Sequence, residues 1–216
     1  KNFTPILFYK LYVTINKLIC LTYNLQGWSL FLNIFRFQLF LLLTLSNFCS
    51  LNAANYNDDI LNIYSKMLPR FVMMSSQKDK IENEIKICVL HDKLDERVAQ
   101  SLEDKIKSNY PDGLKNYPIK IMRTNYENVQ LCANSQLSFL FNSDETQIQN
   151  AIFFFKKNSI LTMSYNISFL EKGADMSLFI GRNVIPFVNM KSIRDKRITL
   201  DNLLIRVSKI YMDSEK

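Results

Sequence analysis

The chain has 216 residues, a formal net charge of +7, 48% hydrophobic residues, four glycines and a single histidine. So few glycines exclude a Gly-rich phosphate cradle, and one histidine leaves most nucleophilic triads and zinc sites unassembled. Residues 1–50 hold Lys1, Lys10, Lys17 and Arg36 and no acid, so the body after residue 50 sets 23 basic against 20 acidic side chains; that mixed surface is not the clustered basic face of a nucleic-acid binder.

The first 54 residues read as targeting sequence. Arg36 is followed by a nine-residue apolar run, FQLFLLLTL (Phe37–Leu45), then by small and polar residues through SNFCSLNAAN. A basic residue, a short apolar core and a small-residue exit define a signal peptide over residues 34–54, with cleavage after Ala53 or Ala54. Residues 1–33 form an upstream leader. The alternative is a membrane anchor, since LFLNIFRFQLFLLLTL approaches a spanning length, although Arg36 interrupts it. Export changes the meaning of the cysteines. Cys20 and Cys49 lie in or near the removed segment, leaving Cys88 and Cys132 as a disulfide candidate in an oxidising periplasm, or two buried thiols in a reducing cytosol.

Residues 55–216 alternate helix and strand patterns. NYNDDILNIYSKMLPRFVMMSSQ places Ile60, Ile63, Tyr64, Met67, Leu68 and Phe71 at helical spacing, with Pro69 expected to kink or interrupt the helix. IKICVL (residues 85–90) is a compact buried-strand run. In HDKLDERVAQSLEDKIKS, Asp92 is placed to cap a helix whose Leu94, Val98, Leu102 and Ile106 point inward. Turn residues NYPDGLKNYP precede a strand at residues 119–122, and NYENVQLCAN forms one or two helical turns. LSFLF (residues 137–141) is the third strand. A helix capped by Ser143 or Asp144 turns Ile148, Ile152 and Phe155 inward, and SILTMS is the fourth strand.

ADMSLFI and NVIPFVN then flank Gly181–Arg182 as a hairpin, with Pro186 on an edge or with its missing N–H outward. Gly173 and Gly181 read as positions where a positive φ is cheap. The chain closes on ITLDNLLIRVSKIY, with Leu200, Leu203, Leu204, Val207 and Ile210 as one apolar stripe. The pattern predicts a doubly wound three-layer α/β sheet, mostly parallel, ending in an antiparallel hairpin.

No catalytic constellation, metal site or cofactor is expected. His91 reads as a solvent-facing loop residue, with a ligand role as the alternative. Phe153–Phe155 read as core rather than as a stacking platform. A receiver domain is the structural rival, but the third strand ends Phe141, Asn142, Ser143, without the phosphoacceptor aspartate. Ligands of doubly wound folds bind at the strand ends, which here would gather His91, Asp92, Asn142, Ser143, Ser164 and Tyr165.

The elements LNIYSKMLPRFVM, IKICVLHD and ILTMSYNISFLEKGADMSLFIGRNVIPFVN, followed by a helix with Leu203 and Leu204, resemble the YfiR-like family of periplasmic proteins from about Ile60 to Tyr211. The pattern departs at Pro186 and Val188, where relatives commonly carry polar side chains. The resemblance implies an exported α/β domain, non-enzymatic, with Cys88 and Cys132 joined, of a kind often dimeric through its N-terminal region. It also implies a role as regulator of an inner-membrane signalling protein, a diguanylate cyclase or a sensor kinase, and so of cyclic-di-GMP and biofilm. The alternative is a free-standing periplasmic small-ligand-binding module.

Overall fold

The computed structural model describes residues 56–212, so the expected leader and signal peptide lie outside the described residues. Helix α1 (Asp58–Met73) and a 3-10 turn (Ser76–Lys80) lead to strand β1 (Ile85–His91). A 3-10 turn (Lys93–Asp95), α2 (Glu96–Asn109), β2 (Ile119–Asn125) and a 3-10 segment (Tyr126–Asn134) follow. Then come β3 (Leu137–Leu140), α3 (Glu145–Lys157), β4 (Leu161–Ser164), a 3-10 turn (Ile167–Leu170), and the hairpin β5 (Met176–Ile180) and β6 (Val184–Val188). The chain ends in α4 (Met190–Asp195), α5 (Asn202–Val207) and β7 (Lys209–Ile210).

All seven strands form one sheet in the order β2-β1-β3-β4-β5-β6-β7. The first five strands along it are parallel, and β6 runs antiparallel to β5. The predicted fold class is thus the observed one, with one addition. The sheet does not finish on the hairpin, because β7 pairs in parallel with Phe187 and Val188. The part of β6 that holds Pro186 has no β7 partner, so the missing N–H is accommodated beside the hairpin.

Strand alternation divides the core in two. One face sends Ile85, Ile87, Val89, Leu137, Phe139, Leu161, Met163, Met176, Leu178 and Val188 into a cluster with α1 and α2. The other sends Cys88, Leu90 and Leu140 against α3 and the segment Tyr126–Asn134. Cys88 and Cys132 are joined there by a disulfide, with Cα atoms 5.6 Å apart.

Helix α1 starts where Asn57 Oδ1 accepts from the N–H groups of Asp59 (2.8 Å) and Ile60 (3.3 Å), with Asp58 and Asp59 in the first turn. Of the two outcomes expected at Pro69, a kink or an interruption, the interruption does not occur. Leu68, Phe71 and Val72 beside the proline are completely buried, and their burial offsets the helix bond that the proline cannot make. The inward face is also shifted from the predicted one: Leu61 and Ser65 are buried, while Ile60, Ile63 and Met67 are only half-buried.

Four further expectations are corrected. Leu94 is exposed, because Asp92 caps a 3-10 turn and α2 begins only at Glu96. Phe153 is exposed as well, since α3 turns Ala151, Ile152 and Phe155 inward and leaves its neighbour outside. The C-terminal stripe is not one helix: α5 spans six residues and buries only Leu204, while Leu203, Val207 and Ile210 face outward. Of the two hairpin glycines, Gly173 has φ +99° and Gly181 does not adopt positive φ. A Cβ at Gly181 would meet the Phe179 ring at 3.0 Å, so close packing rather than conformation suits glycine there.

Candidate functional site

The parallel strands end together, and at this carboxyl edge the chain gathers an aromatic cluster. Phe139 and Phe141 pack edge to face with centroids 5.0 Å apart. Tyr64 from α1 lies 4.9 Å from Phe139, and its hydroxyl donates to the carbonyls of Ser164 (3.0 Å) and Tyr165 (3.2 Å) and accepts from the Leu178 N–H (3.3 Å). Burial pushes the Tyr64 phenol up to about 12, so it holds its proton and ties α1 to β4 and β5.

Tyr56, just before α1, covers the β1/β3 boundary, the topological switch point of the sheet. Its hydroxyl donates to Asp95 Oδ2 (2.7 Å) and accepts from the Asn142 N–H (3.1 Å). Its ring stands edge-on to Phe141 (4.9 Å) and Tyr165 (4.8 Å). The Asn57 N–H donates to the Tyr165 hydroxyl (3.2 Å), and the Tyr126 hydroxyl donates to the Phe141 carbonyl below. Beside this cluster a cavity of about 320 Å³ is lined by Ile60, Asn142, Tyr165, Asn166, Ile167, Leu178, Phe179 and Ile180. The Asn142 Oδ1 is buried without a hydrogen-bond partner.

The six predicted ligand residues are distributed along this edge in different states. His91 is buried rather than solvent-facing, the last residue of β1, with Nδ1 2.8 Å from the Asp92 carbonyl. Asp92 caps the turn at Lys93 (2.6 Å), and the Ser143 hydroxyl donates to Gln147 Oε1 (2.6 Å), leaving Asp144 as the cap of α3. The Ser164 hydroxyl is enclosed and donates to carbonyls of Asn166 (2.9 Å) and Met176 (3.3 Å). Asn142 and Tyr165 are the pair that reach the cavity. His91 lines a separate open groove with Lys93, Glu96, Glu103, Arg123, Thr124 and Asn125. Among the described residues no group of three or more His, Cys, Asp or Glu could hold a metal ion, and no helix is long and apolar enough to cross a membrane.

Tyr56 and Tyr126 escaped the sequence reading. An aromatic residue immediately before a capping Asn is a known signal for a side chain that folds back on its helix, and Tyr56 occupies that position. Its partners are far apart in sequence, and nothing local announces them.

Two more features lie outside this cluster, the first at the amino end of β4 and β5. Lys196 and Asp175 form a completely buried ion pair at 2.6 Å. Lys196 also donates to the Ile160 carbonyl (3.0 Å) and Thr162 Oγ1 (3.2 Å), while Asp175 accepts from the Thr162 N–H and hydroxyl and from Ser192. Burial pulls the Lys196 ammonium below its ordinary range, against the opposing pull of Asp175.

On the hairpin, Ser177 pairs with Phe187 and Phe179 with Ile185, so these residues share the face opposite to Met176, Leu178 and Val188. Over β1 and β3 that face is covered by α3. At the hairpin, Phe179 is 49% exposed, Ile185 and Phe187 are half-buried, and Lys209 lies over the Phe187 ring at 5.8 Å. Pro186 and Val188, the departures from the family pattern, are buried on the core side.

A mostly parallel α/β sheet in this order, with an internal disulfide between β1 and the segment after β2, defines the class as a doubly wound α/β domain. Residues 61–209 match the YfiR/HmsC-like family, and the chain belongs to it. Among solved structures it is similar to a conserved domain protein from Vibrio cholerae (TM-score 0.53, 10% identity, covering 69% of this chain and 59% of that one). It is also similar to an ABC domain from Streptococcus pneumonia in complex with L-Trp (TM-score 0.50, 6% identity, 70% and 60% covered). The chain thus spans about 60% of the length of these structures, and at such identities the likeness is one of fold. No curated protein matches the chain.

Proposed function

We propose that the protein is an exported regulator that docks on the periplasmic part of a membrane-bound signalling protein, a diguanylate cyclase or a sensor kinase. The observation that carries this reading, beside family membership, is the partly exposed apolar sheet face of Phe179, Ile185 and Phe187. A sheet face of this kind is ordinarily buried against another layer, and a contiguous exposed apolar patch marks a protein-contact site. The surrounding chain is basic: residues 172–212 carry eight Lys and Arg against three Asp and Glu. The fitting partner surface is therefore apolar with a carboxylate rim. The half-buried Ile60, Ile63 and Met67 on α1 are a second apolar surface, suited to pairing of two copies.

The test is genetic and biochemical. Deletion is expected to shift cellular cyclic-di-GMP or the output of one sensor kinase, and with it biofilm formation. The wild-type gene restores the level, while F179D/F187S, exported and folded, does not. A deletion that moves neither output overturns the reading. The alternative, capture of a small ligand at the carboxyl edge, draws support from the unpartnered Asn142 Oδ1 beside the cavity, and a thermal-shift hit among nucleotides, sugars or peptidoglycan fragments would favour it.

A further inference from the structure

The crevice at the switch point is shaped around a hydroxyl-bearing ring. One oxygen meets both a carboxylate, Asp95, and a backbone donor, the Asn142 N–H, at 2.7 and 3.1 Å. A hydroxyl can satisfy both at once, because it donates one hydrogen bond and accepts others. An ammonium lacks the acceptor and a carboxylate lacks the donor, so neither would complete the pair. The walls fit the same group: the ring edges onto Phe141 at an interplanar angle of 82° and onto Tyr165 at 74°, the geometry aromatic quadrupoles prefer. Asp95 is itself only 5% exposed. Yet the ring that fills this site comes from the edge of the domain, two residues before α1, and is only partly buried. The strap Tyr56–Asn57 is held by those two hydrogen bonds and the one from Asn57 to Tyr165.

We propose that the switch-point crevice, formed by Asp95, Asn142, Phe141 and Tyr165, is a binding site for a phenolic ring, and that Tyr56 occupies it in cis as a displaceable ligand. Lifting the strap frees the site for a hydroxyphenyl group from another source. The proposal does not rest on the regulatory reading above; it concerns a different surface and stands or falls on binding alone.

The full chain carrying Tyr56→Ala, titrated with p-cresol and followed by NMR, is expected to bind saturably with shifts at the Asn142 amide. Wild type, whose site is filled, is expected to show weaker binding. Because the hydroxyl meets a charged acceptor, p-cresol should bind about tenfold more tightly than toluene. Equal binding of the two, or none by a folded variant, overturns the proposal. Hydrogen exchange on wild type keeps the test decisive if Tyr56→Ala does not fold. The Asn142 amide should exchange through a local opening, faster than the β1 amides, and faster still in Tyr56→Phe. Exchange of Asn142 only together with β1, unchanged in Tyr56→Phe, also overturns it.

Discussion

Lys196 and Asp175 form an ion pair from which water is excluded, and its cost and benefit can be separated. Taking two charges out of water is expensive, and here the expense is offset by the direct contact and by hydrogen bonds from Thr162 and Ser192. Lys196→Met leaves the carboxylate buried and uncompensated, with an expected loss of about 3–5 kcal/mol. The double variant K196M/D175N should recover much of that loss. Urea midpoints at constant m-value read both, and a single variant as stable as wild type would show that the pair is solvated. A second residue gives a pH signature. Burial holds the Asp95 carboxyl above its ordinary value of 3.8, despite the Tyr56 hydroxyl that lowers it. Between 3.8 and that raised value the native state binds more protons than the unfolded chain, so stability falls as pH rises through the interval. Asp95→Asn should flatten this slope, and an unchanged slope in urea midpoints across the acidic range would refute the assignment. Glu103 has the opposite sign. Burial pushes it up, but Lys107 and Arg123 outweigh that and hold it below 4.5; its contribution is present above 4.5 and fades as pH falls through the lowered value.

At the scale of elements, strands were more legible than the ends of helices. Runs such as IKICVL and LSFLF announce burial on both faces, and they fall on β1 and β3. The cap of α3 was legible to within one residue, Ser143 or Asp144, because both side chains can accept from a helix's first N–H groups; Asp144 is the one that does. What the pattern could not reveal is where a helix begins after a loop. Asp92 looks like a cap for α2, yet it closes a 3-10 turn and Leu94 is left outside. The closing segment misled for a related reason: its apolar residues repeat at helical spacing, but Ser208 ends α5 and the next two residues join the sheet. The candidate site was half legible. Asn142 and Tyr165 follow from the rule that ligands meet strand ends, whereas Asp95 and Tyr56 meet only through a contact 39 residues apart. The disulfide is the clearest element-level prediction. It ties β1 to the Tyr126–Asn134 segment across a separation of 44 residues, and replacing both cysteines with alanine should cost roughly 4 kcal/mol. Equal urea midpoints for the oxidised protein and the double variant would argue against a stabilising bridge.

Over the whole molecule, charge and apolar surface are distributed unequally. Residues 56–171 carry 14 basic and 15 acidic side chains, so the excess positive charge of the described body sits with the hairpin and the elements after it. Docking through that end is expected to be electrostatically steered, so association with the signalling protein identified by deletion should weaken as salt rises. Calorimetric titration at two ionic strengths with that protein's periplasmic domain checks this, and salt-independent affinity would place the contact elsewhere.

The disulfide has a mechanical consequence as well. The loop it closes contains all of α2 and β2, the edge of the sheet farthest from the hairpin. A pull along the chain cannot unravel those elements while the bond holds. It withholds about 150 Å of contour length, taking 44 residues at roughly 3.4 Å each. If the protein is stretched between a membrane attachment and a partner, the closed loop bears no load, and the tension falls on α1, the first half of β1 and the strands from β3 onward.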